Sequence, residues 1–138
     1  MTTARRLICS GASQEVLTTA IGGPLDLGRT KRLFDDRQHE ALAIRDGGCL
    51  WPDCTQPPVM TEAHHINEYK KDHGNTNIAD GICLCRFHHL TLHNNGWKIT
   101  RHGTNYWLIP PPRLDPNQTP IELHTKSLLI RKLQQDAG

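Results

Sequence analysis

Residues 79–93 read ADGICLCRFHHLTLH, and the fold is decided there. The run 82–84 is a short apolar strand entered through the Asp80–Gly81 turn. A helix follows from about Arg86 to Asn94, ended by Asn95 and Gly96. On that helix His89 and His93 stand at i and i+4, one above the other on a single face, so they can bind one metal together. His88 points about 100° away and is free to serve a second centre with Cys85.

Upstream, residues 49–58 (CLWPDCTQPP) form a turn-rich loop that carries Cys49 and Cys54. Cys49 and Cys54 are separated by four residues, Cys85 and His88 by two. Two short-spaced pairs, distant in the chain, are what a tetrahedral structural zinc requires, because each pair chelates from one turn. Thiolate and imidazole donors suit zinc better than magnesium or calcium. Cys83 also lies near this set and could replace Cys85. Cys85 is preferred, since its gap to His88 fits the first turn of a helix, whereas Cys83 sits between Ile82 and Leu84 as a packed strand residue. Cys9 reads as a small buried hydrophobe.

His64 and His65 fall in 61–67 (TEAHHIN), a second short strand. Neighbours on a strand face opposite sides, so one can bind metal while the other addresses a water. Phosphodiester hydrolysis needs such a pairing: a base to activate water, and a cation to offset charge on the phosphate and leaving oxygen. A neutral imidazole is a suitable base near neutral pH. Glu62 is placed to orient a basic side chain. Arg86, Lys98 and Arg101 are candidates for phosphate contacts. His39, His73, His102 and His124 read as surface residues, and Trp51, Trp97 and Trp107 as core or loop packing.

The rest of the chain supports a small α+β domain. Residues 15–21 and 25–27 read as short strands around Gly22-Gly23-Pro24. Residues 36–46 read as a helix with Asp35 as N-cap, Ala41, Leu42 and Ile44 as apolar positions, and Gly47-Gly48 as its stop. Residues 97–101 and 106–109 read as a hairpin around His102-Gly103. Residues 125–136 read as a terminal helix with Leu128, Leu129 and Leu133 on one side. The organisation expected is an N-terminal extension (1–30), a central domain (31–112) and a C-terminal tail with a helix (113–138).

With 138 residues and 5% aromatic content, the chain is short of apolar material, and a metal is a common substitute for a large core. A net charge of +2, with no basic block, leaves nucleic-acid contacts to scattered residues and a metal. No stretch approaches the roughly 18 apolar residues of a membrane span, and no signal peptide is evident. A cytoplasmic location with reduced cysteines is expected, and the odd count of five cysteines fits it.

Taken together, RDGGCLWPDC (45–54), EAHHI (62–66), LCRFHH (84–89) and HNNGW (93–97) closely resemble the zinc-bearing type of HNH, or ββα-metal, endonuclease domain found at the C-terminus of actinobacterial proteins. The likeness covers 45–97, and extends more weakly through 28–42 and 106–112. The resemblance implies a ββα-metal nuclease fold with a structural zinc. It implies His65 as general base and His64, His89 and His93 as ligands of a catalytic divalent ion (magnesium, manganese, nickel or zinc). Three histidines favour the softer members of that group. It also implies double-stranded DNA as substrate, and a larger helical domain preceding this one, of which residues 1–30 would hold at most the end. The central Asn of the HNH pattern corresponds to Asp80, with Asn77 as the alternative. Asp accepts hydrogen bonds but cannot donate as an amide does. Two other functions remain open: a zinc-stabilised nucleic-acid-binding module without cleavage, and a zinc fold that serves protein interaction.

Overall fold

The computed structural model describes residues 25–29, 31–67 and 74–137. The expected strand at 15–21 and Cys9 lie outside them. The fold is a small α+β arrangement: helices α1 (Asp36–Asp46), α2 (Arg86–Asn94) and α3 (Leu128–Ala137), and strands β1 (Thr61–His65), β2 (Gly81–Cys85), β3 (Lys98–His102), β4 (Asn105–Ile109) and β5 (Ile121–Leu123). β1 pairs antiparallel with β2, while β3, β4 and β5 form a separate antiparallel sheet. The expected strand at 25–27 is a single bridge, Asp26 to Asn77.

α1 begins where its cap dictates. Asp35 accepts from the Gln38 backbone at 2.9 Å, and Gln38 returns the bond to the Asp35 N–H at 2.9 Å. It ends at Gly47, whose φ of 71° closes the helix; a Cβ there would collide with the Ser127 backbone. Its inner face is Gln38, Ala41, Leu42 and Asp46. Ile44, expected among the apolar positions, is 40% exposed, because it falls a third of a turn off that face.

β2 is buried along its whole length because both its faces are covered. Ile82 and Leu84 join Leu92, Ile99, Leu108 and the loop residues Cys49 and Leu50 in one cluster. Cys83 points the other way, to Ala41, Leu42, Phe34 and Leu25. A strand covered on both faces reads as a continuous apolar run, as GICLC does.

The hairpin turns at Gly103-Thr104, one residue later than expected, with Gly103 at φ 64°. Residues beyond 112 pack into the same body: β5 pairs with β4, the Lys126 N–H donates to the Asp46 carbonyl at 2.7 Å, and the Thr125 hydroxyl donates to that of Arg45 at 2.6 Å. In α3, Leu128 and Leu129 are 80% and 64% exposed, and Ile130 is the buried residue. Ile130 and the half-buried Leu133, three residues on, share the inward face, and Ser127 Oγ accepts the Ile130 N–H at 3.2 Å at the helix start.

Candidate metal centres and the histidine site

Among the described residues, two groups of side chains have the donor chemistry and proximity to hold a metal ion: Cys49, Cys54, Cys85 and His88, and separately His64, His89 and His93.

The first is a Cys3His cluster built by a loop and a helix start. The Cys54 N–H bonds the Trp51 carbonyl at 3.0 Å across the Pro52-Asp53 turn, with Asp53 at φ 64°. Cys85 is the N-cap of α2, so His88 lies one turn above it. Sγ of Cys54 and Cys85 are 4.0 Å apart, Sγ of Cys49 and Nδ1 of His88 3.6 Å, and Sγ of Cys85 and the same Nδ1 3.3 Å. Sulfur ligands about 2.3 Å from a tetrahedral zinc lie about 3.8 Å from each other, so the cluster fits that ion. Cys83 is excluded by its direction. It packs against α1, its N–H donates to Asp46 at 2.9 Å, and burial pushes its thiol up to about 12. At Cys54 burial opposes ionisation, but hydrogen bonds from the Gln56 backbone and from the neighbouring thiols, with the charge of Lys126, outweigh it and lower the thiol pKa.

Two further features support this cluster, the first in line with the loop packing expected of Trp51 and Trp97. Trp51 stacks on the His88 ring, with centroids 4.7 Å apart and planes 7° apart, while Trp97 meets Trp51 edge-on at 4.9 Å. Lys126 Nζ donates to the carbonyls of Cys49 (3.1 Å), Trp51 (3.0 Å) and Cys54 (2.7 Å), spending its three protons on the cysteine loop. Nothing near Lys126 in the chain signals this.

The second group follows from β1 alternation. His64 faces α2 and is buried, whereas His65 faces the α1 side. The His64 ring meets those of His89 and His93 at 5.1 and 5.2 Å, and the last two are 4.8 Å apart. Burial first, then the neighbouring imidazoles, lowers the His64 pKa to about 3, so this ring is neutral with a lone pair available at neutral pH. Burial also lowers His89, partly offset by its hydrogen bond to Glu62. His93 is exposed and leaves the group open to solvent on one side.

Glu62, two residues before His64 on the same strand face, reaches His89 Nδ1 at 3.4 Å and Arg86 at 3.6 Å. A carboxylate accepts only, so Nδ1 carries the proton and Nε2 of His89 presents its lone pair. Arg86, 75% exposed, is thereby held at the rim.

His65 lies against Phe34, with ring centroids 4.3 Å apart, and its Nε2 is 3.1 Å from the Thr76 hydroxyl. Burial lowers its pKa, with the Asp80 carboxylate acting in the opposite direction. The Asp80 backbone carbonyl takes the Ile66 N–H at 2.9 Å, and its carboxylate takes Arg101 at 3.3 Å, outside both candidate metal groups. Asn77, the alternative, accepts the Gly28 N–H at its Oδ1 at 2.8 Å. Arg101 thus stands on β3 beside Asp80, 37% exposed, and Lys98 is exposed at the other end of that strand.

No profile of a known protein family matches the chain, and no solved structure matches it. It is similar to uncharacterized mycobacterial proteins. It is 38% identical over 115 residues to Rv1148c of Mycobacterium tuberculosis and, to the same extent, to Mb1179c of Mycobacterium bovis, covering 82% of this chain and 25% of each relative. It is 36% identical over 100 residues to Rv1945 of Mycobacterium tuberculosis, covering 71% of this chain and 21% of that protein. The chain therefore spans about a quarter of the length of the curated relatives it matches.

Proposed function

We propose that this chain is a metal-dependent endonuclease of the HNH, or ββα-metal, type, hydrolysing phosphodiester bonds of double-stranded DNA. One observation carries the reading. An antiparallel β1–β2 pair runs directly into α2, and this unit gathers His64, His89 and His93 while turning the adjacent His65 to the other side of the strand. Neither a purely structural zinc fold nor a protein-interaction module has a use for that second histidine group.

The Cys3His cluster would hold a structural zinc. The three histidines would hold a second divalent ion, which when bound supplies Lewis-acid stabilisation of charge on the phosphate and leaving oxygen. The chain's own residues do the rest. His65, neutral at neutral pH, accepts a proton from the attacking water. Glu62 orients His89. Arg86, Arg101 and Lys98, on neighbouring elements, offer cations to the DNA backbone and carry no base preference.

The test is supercoiled plasmid incubated with zinc-loaded protein in EDTA, magnesium, manganese or nickel. Nicking in a divalent cation and none in EDTA supports the reading. Folded, zinc-loaded protein that nicks in none of them overturns it in favour of a binding module, the reading that the capture of Asp80 by Arg101 would then explain.

The orienting carboxylate makes a separate prediction. Glu62→Ala should weaken manganese binding at the three-histidine group about 10- to 100-fold, measured by titration calorimetry, and leave the zinc content unchanged. An unchanged manganese affinity would remove Glu62 from the site.

A further inference from the structure

The hydrogen bonds around His65 specify which of its nitrogens carries the proton. Nε2 lies 3.1 Å from Thr76 Oγ1, and the same Oγ1 lies 2.6 Å from the backbone carbonyl of Lys31. A hydroxyl has one proton, and a carbonyl can only accept. The proton spent on Lys31 leaves Oγ1 with lone pairs alone for the imidazole. The His65 Nε2 must then donate, and a neutral ring protonated at Nε2 has an unprotonated Nδ1.

Thr76 is held against any rearrangement that would reverse this. It is completely buried. Its N–H donates to Gly28 at 2.8 Å, and its carbonyl accepts from the Leu27 N–H at 3.2 Å and from Gln38 Nε2 at 2.7 Å. Gln38, also completely buried, spends its other amide proton on the Leu25 carbonyl at 2.8 Å. On the imidazole side, Phe34 covers the ring and is itself seated on Gly81, where a Cβ would come within 2.5 Å of it. Both partners of the bond are clamped, from α1 on one side and β2 on the other.

We propose that Thr76 is a positioning residue that locks His65 in the Nε2–H tautomer through a relay to the Lys31 carbonyl, so that Nδ1 is the atom that takes the proton from water. The inference rests on the nuclease reading for its use, though not for its geometry. In the step it serves, the water oxygen bonds to phosphorus, its proton passes to His65 Nδ1, and the electron pair of the broken P–O bond leaves with the departing oxygen. Nothing in the polar stretch around Thr76 marks it in the sequence, because its partners lie 11 and 45 positions away.

The test is nitrogen-15 NMR of the His65 ring in the zinc-loaded full chain at neutral pH, with Thr76→Val and Thr76→Ser alongside. Wild type should show Nε2 protonated and Nδ1 bare. Thr76→Ser should keep that pattern and Thr76→Val lose it. In cleavage, Thr76→Val should lower kcat roughly tenfold or more with KM unchanged, and Thr76→Ser should recover it. A wild-type ring protonated at Nδ1 overturns the proposal even if the valine variant fails to fold, and so does a valine spectrum identical to wild type. The expected tautomer in a protein that cuts no DNA would sink the nuclease reading and leave the relay standing.

Discussion

Cys85→Ser should lose the zinc of the Cys3His cluster and the cooperative thermal unfolding transition. Structural zinc in small domains contributes about 10–16 kcal/mol, and the whole stability of a domain is about 5–15 kcal/mol. Here the Cys3His cluster joins the 49–54 loop to the start of α2, and Cys49, Cys85 and Leu50 belong to the larger apolar cluster itself. Without the ion, three thiols and an imidazole crowd together with no common partner. Cys83→Ser is the control. Its thiol faces α1, so this variant should keep one equivalent of zinc by elemental analysis and lose only packing stability. Zinc retained in Cys85→Ser and lost in Cys83→Ser would reverse the ligand assignment.

The second large effect concerns Arg45. Arg45→Met should cost about 3–5 kcal/mol, read from the urea midpoint, because it strands a buried carboxylate and several carbonyls. Arg45 makes a two-pronged bond to Asp46 at 2.7 and 3.1 Å and donates to the carbonyls of Ile78 (2.9 Å) and Gly81 (2.6 Å) and to the Tyr106 hydroxyl (3.1 Å). Burial opposes the charge, but Asp46 beside it keeps the guanidinium protonated. Asp46 in turn holds the Cys83 N–H, and Tyr106 donates to Ala79 at 2.7 Å. The network thus anchors the 78–81 turn, which carries the Asp80 carbonyl that receives Ile66 just after His65. Arg45→Met combined with Asp46→Leu should cost clearly less than the two single changes summed, since no charge is left alone. Strict additivity would show that the pair is not a unit.

The legible parts of this molecule are those in which a few consecutive residues carry the signal. The capping box and Gly47 bound α1 within one window, and each short-spaced pair of the Cys3His cluster can close its own chelate ring. Helical spacing alone puts His89 and His93 on one face and sends His88 to another. The illegible parts act over distance. Lys126 reaches the cysteine loop from 72 to 77 positions away, and Arg45 meets Tyr106 across 61. β5 has three residues, too few for a period, and exists because β4 offers it an edge. In α3 the leucines at 128 and 129 suggest a buried face. Ile130 is buried instead, with Leu133 half-buried three residues on along the same face. Asp80 was readable as a departure from the HNH pattern, but its capture by Arg101 depends on where β3 lies.

The most direct measurement of the central claim is the rate of supercoiled-plasmid nicking by wild type and His65→Ala, both zinc-loaded, in manganese, with DNA binding measured on the same preparations. His65 belongs to neither candidate metal group, so on the proposed nuclease reading its loss should leave metal binding and DNA affinity in place. Wild type should nick, and the variant should be slower by about 10²- to 10⁴-fold, the range for removing a general base. Equal rates for the two proteins would contradict the proposed role of His65 as the base, since cleavage would then owe nothing to its imidazole.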